Sequence, residues 1–242
     1  MLRACWRLLS ALAHGAHGFL IVWLRFGSLD KPGRQARIAW WSATMFTRLG
    51  MQLQVQGRFK PGAKLIVANH VSWLDILAIH AVCPQARFVS KADVRRWPLI
   101  NRLVDAADTL YIERERRRDA MRVVHQTAEA LRAGDTVAVF PEGTTGAGPE
   151  LLPFHANLLQ AAIATGTPVQ PAVLRFADGQ QRFSPAVEFV GDTTLLQSLW
   201  RVASARGLRA HVSVLPPMAS AHADRRALAE HLRETIAAEL PA

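Results

Sequence analysis

The sequence predicts an α/β protein: a mixed, largely parallel sheet flanked by helices, preceded by an N-terminal two-helix membrane-associated segment. Three observations carry this. From residue 59 onward, short apolar runs alternate with stretches of helical periodicity, the pattern of strands covered on both faces. Residues 8–24 contain no Asp, Glu, Lys or Arg. At 242 residues the chain holds one sizeable α/β domain and an appendage.

The apolar stretch is flanked by Arg3, Arg7 and Arg25, and its 17 residues reach roughly 25 Å as a helix. That is slightly short of the ~30 Å hydrocarbon core, so it spans with strain, lies in one leaflet, or is a signal peptide. No small-x-small cleavage site follows it, and leaflet insertion is the preferred reading. A second helix is predicted from about Arg34 to Leu53, with Ile38, Trp41, Met45, Leu49 and Leu53 at helical spacing among Arg34, Arg37 and Arg48. Trp with Arg suits a membrane interface; the same ladder would also serve core packing. Lys31-Pro32-Gly33 is predicted to be the turn between the two helices.

Strands follow at 64–68, 87–90, 109–112, 136–140 and 168–174, with later ones at 187–190 and 211–215. Helices are predicted at 73–81, 118–132 and 158–164. Leu228, Leu232, Ile236 and Leu240 form an i+4 ladder, hence a packing helix at the C-terminus. The organisation is therefore 1–57 membrane-associated helices, 58–215 α/β domain and 216–242 packing helix.

The net charge is +10, from 29 basic and 19 acidic residues, which calls for an anionic partner or a merely charge-biased surface. No recognised nucleic-acid-binding module with interleaved basic and aromatic residues is present, so nucleic acid is not the expected partner. Cys5 and Cys83 form no disulfide framework or ligand cluster. His14 and His17 stand i,i+3 without carboxylates, so no metal site is expected.

Two strand ends carry candidate chemistry. Asn69-His70 follows the 64–68 strand, with Asp75 five residues on. Five residues turn a helix by ~140°, so the pair meets only if His70 sits in the turn and Asp75 in the first helical turn. Ser72-x-x-Asp75 resembles a capping box, consistent with that start. The residues permit two readings: a turn histidine beside a helix-start aspartate, or a His–Asp dyad whose Nε2 takes a proton. No Gly-x-Ser-x-Gly is present, so a dyad implies that the substrate supplies the attacking hydroxyl. The second strand end is Phe140-Pro141-Glu142-Gly143-Thr144-Thr145, a tight turn lacking the Lys-Ser/Thr of a P-loop.

Asn69-His70…Asp75 together with Phe140-Pro141-Glu142-Gly143-Thr144, about 70 residues apart, resembles the glycerolipid acyltransferases, and in type the 1-acylglycerol-3-phosphate acyltransferases. Leu110-Tyr111-Ile112-Glu113-Arg114 and Val169-Gln170-Pro171-Ala172 match two further blocks, so the resemblance covers roughly residues 60–215. It implies that His70 is the base and Asp75 its orienting partner, deprotonating a lysolipid hydroxyl that attacks an acyl thioester. It also implies an acceptor site formed by Asn69, Lys91, Arg114, Glu142, Gly143 and Thr144. Acyl-CoA or acyl carrier protein is the implied co-substrate, with no cofactor, metal or acyl-enzyme, on the cytoplasmic face of the inner membrane. The sequence departs from the family at Thr145, where many members carry Arg, and at Phe154-His155-Ala156-Asn157, where many carry Phe-Lys-x-Gly. Asn101 and Asp108 also replace glycines. Fewer cations bear on the headgroup question, so an ornithine-type or other lysolipid stands as the alternative to lysophosphatidic acid; a non-catalytic membrane or nucleic-acid binding protein is the alternative of another class.

Overall fold

The computed structural model describes residues 1–91, 100–112 and 117–240. Helix α1 (Leu2–Leu24) and helix α2 (Lys31–Leu49) lead into strand β1 (Gln52–Gln56). Then come β2 (Lys64–Ala68), α3 (Leu74–Val82), β3 (Ala86–Lys91), α4 (Ile100–Ala106), β4 (Leu110–Ile112), α5 (Arg117–Arg132) and β5 (Thr136–Val139). The chain finishes with α6 (Leu159–Thr165), β6 (Val169–Ala177), α7 (Leu195–Ser204), β7 (Arg209–Val214) and α8 (Arg225–Ala238). The strands form one sheet in the order β1-β7-β6-β2-β5-β3-β4, parallel throughout except for the antiparallel β6–β7 pair. The predicted mixed, largely parallel sheet is therefore the observed one.

The sheet has a core on each side. Ile66, Ala68, Leu174, Phe176 and Val212 face α2 and α3, where Phe46, Leu49, Leu74 and Ile79 are buried. Leu65, Val67, Val137 and Val173 face α5, α6 and α8, where Leu131, Leu159, Leu228 and Leu232 are buried. The C-terminal i+4 ladder packs as expected: Leu228, Leu232, Ile236 and Leu240 are all buried.

Several elements differ from expectation. The second helix ends at Leu49, because Gly50 adopts φ +75° and its N–H bonds back to Thr47 O. Leu53 lies in β1, which pairs with β7 and so belongs to the sheet although it precedes residue 58. Lys31-Pro32-Gly33 is the first turn of α2 rather than a linker: Asp30 caps it by accepting from Gly33 N–H at 2.9 Å, and proline suits the first helical positions. Met45, Phe46 and Leu49 enter the core, so one face of α2 is core packing. Residues 187–190 form no strand; Phe189 N–H instead bonds to Val71 O.

Helix α1, at 23 residues, exceeds the predicted stretch at its N-terminal end and is long and apolar enough to cross a membrane. Ala4, Ala11, His14 and Gly18 face inward, and Trp41 Nε1–H donates to His14 O at 3.0 Å. A Cβ on Gly18 would fall 2.3 Å from Trp41 Nε1, so only glycine permits this approach of the helices.

Beneath the sheet edge, His80 is buried and bonds through Nε2 to Ala86 O at 3.0 Å. Burial pushes its imidazolium down to about 4, although the bond to Ala86 opposes that shift. The unfolded chain protonates this histidine near pH 6.5, so it binds the proton more readily than the fold does. Stability is therefore full above about pH 6.5 and is lost as pH falls toward about 4, by about 3 kcal/mol in all. His80→Gln keeps a donor for Ala86 and does not titrate. Thermal midpoints at pH 7.5 and 4.5 should lie closer together in His80→Gln than in the wild type; equal acid sensitivity would remove His80 as the cause.

Candidate active site

Strand β2 ends at Ala68, and the next side chain replaces a backbone partner. Asn69 Nδ2–H donates to Leu174 O at 2.8 Å, and its Oδ1 accepts from Leu174 N–H at 2.7 Å. Asn69 is buried and its amide is occupied by β6, so it fixes the strand end instead of contacting the acceptor as the resemblance implied. The chain is then free to turn at His70.

His70 is held on four sides. Its N–H donates to Glu142 Oε1 at 2.7 Å, and its carbonyl accepts from Gly146 N–H at 2.8 Å. Its ring stacks on Phe140, with centroids 4.1 Å apart and an 8° interplanar angle. Its Nδ1 lies 2.7 Å from Asp75 Oδ2, where a carboxylate makes Nδ1 the donor. That tautomer leaves Nε2 with a lone pair. The His70 side chain is 19% exposed and Asp75 is fully buried, so the imidazole reaches the surface while its orienting group does not.

Asp75 Oδ2 also accepts from Val71 N–H at 2.7 Å and Ser72 N–H at 2.8 Å. The carboxylate thus sits at the start of α3, where backbone donors favour negative charge. Half of the predicted capping box forms: Asp75 reaches back to Ser72 N–H, but Ser72 Oγ is buried with no hydrogen-bond partner. Ser72 offers no exposed nucleophile. Cys83 is buried, and burial pushes its thiol up to about 11 despite the nearby Lys64 ammonium.

Both Glu142 oxygens serve the loop: Oε1 accepts from His70 N–H and Oε2 from Leu152 N–H at 3.0 Å. Burial raises the carboxyl above its usual range, while these two N–H bonds pull it back down. Glu142 therefore positions the His70 turn. Gly143, at φ +73°, closes the turn after Phe140, and Thr144 is exposed on the same rim. Thr145 Oγ1 donates to Phe189 O, joining this loop to the segment after β6. Lys91 ends β3, at the sheet edge where β2 delivers His70; its side chain and all of Arg114 lie outside the described residues.

The structure thus brings His70, Asp75, Glu142, Gly143 and Thr144 together and gives Asn69 a supporting part. The stacking of Phe140 on His70 was not anticipated. Its signal is an aromatic residue immediately after β5, the strand beside β2.

A solvent-reaching imidazole backed by a buried carboxylate thus stands at the carboxyl edge of a parallel sheet, an arrangement able to take up a proton. The chain belongs to the acyltransferase family, whose family model matches residues 52–175. It is 36% identical over 206 residues to the lyso-ornithine lipid O-acyltransferase of Pseudomonas aeruginosa, covering 85% of this chain and 78% of that protein. It is 36% identical over 193 residues to the 1-acyl-sn-glycerol-3-phosphate acyltransferase of Neisseria meningitidis, covering 78% of this chain and 74% of that protein. The fold matches the crystal structure of the 1-acyl-sn-glycerophosphate acyltransferase PlsC from Thermotoga maritima with a TM-score of 0.69, over 97% of this chain and 96% of that chain; at 20% identity this likeness is one of fold.

Proposed function

We propose that this enzyme moves a fatty acyl group from an acyl thioester to the free hydroxyl of a lysolipid, with His70 Nε2 as general base. The observation that carries the reading is the His70 Nδ1–Asp75 Oδ2 bond of 2.7 Å. The hydroxyl proton passes to Nε2 as the oxygen attacks the thioester carbonyl. Asp75 stabilises the imidazolium that forms, and collapse of the tetrahedral adduct expels the thiolate, which recovers the proton from His70. Acyl-CoA or acyl carrier protein supplies the acyl group. The acceptor is 1-acylglycerol-3-phosphate, giving phosphatidic acid.

A second acceptor is favoured by a specific observation. Thr145, where many family members carry a cation, ties its hydroxyl to Phe189 O, and His155 stands where a lysine is usual. A phosphate monoester is best held by several charge-assisted bonds, so a less anionic lyso-ornithine lipid fits this rim as well.

The enzyme works at a membrane on this reading. Trp6 (70% exposed), Leu9, Leu12, Leu20 and Trp23 (66%) project outward from α1, while its other face packs on the protein. A helix so placed lies along one leaflet with the body of the enzyme on the cytoplasmic side. One experiment tests both parts. Purified protein is mixed with vesicles of anionic phospholipid carrying lysophosphatidic acid and lyso-ornithine lipid in competition, then floated. The protein should float, and lysophosphatidic acid should be consumed faster. Protein left at the bottom of the gradient contradicts the membrane reading, and faster use of lyso-ornithine lipid reverses the acceptor assignment.

A further inference from the structure

Antiparallel pairing sets Arg175 of β6 opposite His211 of β7, and Ala177 opposite Arg209. Alternation along these strands sends Leu174, Phe176, Ala210 and Val212 into the core shared with α2 and α3. Arg175, Arg209 and His211 therefore lie on the other face, that of Val173, α6 and α8. There the sheet opens into two adjoining clefts of about 200 and 410 Å³, which share Arg175, Arg182 and His211. Gln56 and Ser213 line the first cleft and Arg209 the second.

Like charges are gathered here without an ion-paired carboxylate. Among the described residues, no carboxylate lies within ion-pair distance of Arg175, Arg182 or Arg209. Asp178 and Glu239 border the clefts, but Asp178 Oδ1 accepts from Gln180 and Gln181 N–H, and Arg209 reaches only the Asp178 carbonyl, at 3.4 Å. Burial lowers the Arg175 guanidinium from its ordinary value, and Arg182 and Arg209 lower it further. His211 is lowered by burial, then by Arg175, Arg209 and Arg182. Folding gains nothing from such a concentration of cations; a bound polyanion relieves it.

The position narrows the ligand. The apolar row of α1 belongs to the α2–α3 side of the sheet, and the cationic clefts to the opposite side, so their ligand comes from water and not from the bilayer. The chain segment that follows Arg182 leads from the clefts to the catalytic turn. After Arg182, Ser184 N–H bonds to Phe176 O at 2.8 Å, and Phe189 joins both Val71 and Thr145 beside His70. Finally, Arg175 is only half-exposed and lies where the two clefts adjoin. That suits a compact phosphorylated small molecule better than the broad surface of an acidic protein.

We propose that this cleft binds the phosphate groups of a coenzyme A thioester and so selects the acyl donor. The assignment rests on the acyl-transfer reading above.

The test uses the full-length protein in detergent micelles, with coenzyme A itself as the calorimetric probe. Arg182→Glu and Arg209→Glu alter exposed side chains; Arg226→Glu, on the exposed start of α8, imposes the same change of net charge outside the cleft. Loss of a charge-assisted bond should raise Kd for coenzyme A about 10-fold or more in each cleft variant, and by under about 2-fold in Arg226→Glu. The kcat/KM ratio of acyl-CoA over acyl-pantetheine, which lacks the nucleotide phosphates, should fall by a similar factor. Equal effects of all three substitutions, or none, overturn the proposal. So does a wild type that uses acyl carrier protein thioesters but does not bind coenzyme A, an outcome that leaves acyl transfer standing. Arg182-dependent binding of coenzyme A by a protein that acylates no lysolipid supports the cleft and sinks the acyl-transfer reading instead.

Discussion

Replacing His70 by alanine is expected to lower kcat by about 10²–10⁴, the usual loss for a general base, with little change in thermal midpoint. The two effects separate because His70 does little for the fold. Its removal deletes the stack on Phe140 and one of the three hydrogen bonds at Asp75 Oδ2, leaving the Val71 and Ser72 amides to hold the buried carboxylate. Asp75→Asn should be comparably damaging by another route. An asparagine oxygen can still accept from the two amides, but its NH2 then faces His70 Nδ1 and demands a lone pair there. That reverses the tautomer and places the proton on Nε2, where the base must be empty. Steady-state kinetics beside thermal melts check both; a His70→Ala enzyme within about tenfold of wild type removes the general base from the mechanism.

Glu142→Ala should reduce both activity and stability, in contrast to His70→Ala. Its carboxylate accepts from His70 N–H and Leu152 N–H, so removal leaves two part-buried donors unsatisfied and frees the His70 turn. Burial of the charge works against the fold, as the raised carboxyl shows, and the two bonds offset it only in part; the cost of truncation comes from the donors left without a partner. The net loss should be about 2–4 kcal/mol, with kcat lower by about 10² because an imidazole displaced by an ångström no longer meets the acceptor hydroxyl. Glu142→Gln should fall between, since a single carbonyl oxygen cannot serve both donors. An alanine variant with normal melting and reduced kcat would instead place Glu142 against the substrate.

The His–Asp pair was legible because it is local: a strand end, a capping-like pattern and a five-residue spacing place both groups on one turn. The parts that hold this turn were not. Asn69 finds Leu174 across 105 residues and Glu142 finds His70 across 72, and nothing in either local pattern names the partner. Strand β1 was hidden because Leu53 prolongs the helical ladder of α2; the alternating Gln-Leu-Gln-Val-Gln, and Gly50 before it, are the competing signals that prevail. Helix α7 does carry a local mark, the Thr194-x-x-Gln197 capping box, whose bonds both form. The apolar run at 187–190 misled because apolarity reports burial and not pairing: Val187 is buried, yet the segment crosses the end of the sheet to reach Val71. The +10 charge could not be assigned from the sequence, because Arg175, Arg182, Arg209 and His211 converge only when β6 and β7 pair.

Direct transfer from thioester to lipid hydroxyl is tested most plainly by following a labelled acyl group. Purified wild-type and His70→Ala enzymes are each given a labelled acyl thioester and a lysolipid in micelles, and the label is tracked among thioester, free fatty acid, protein and diacyl lipid. The predicted result is label passing into diacyl lipid with the wild type alone, none held on the protein. Label fixed to the protein, or diacyl lipid formed equally by His70→Ala, would contradict it.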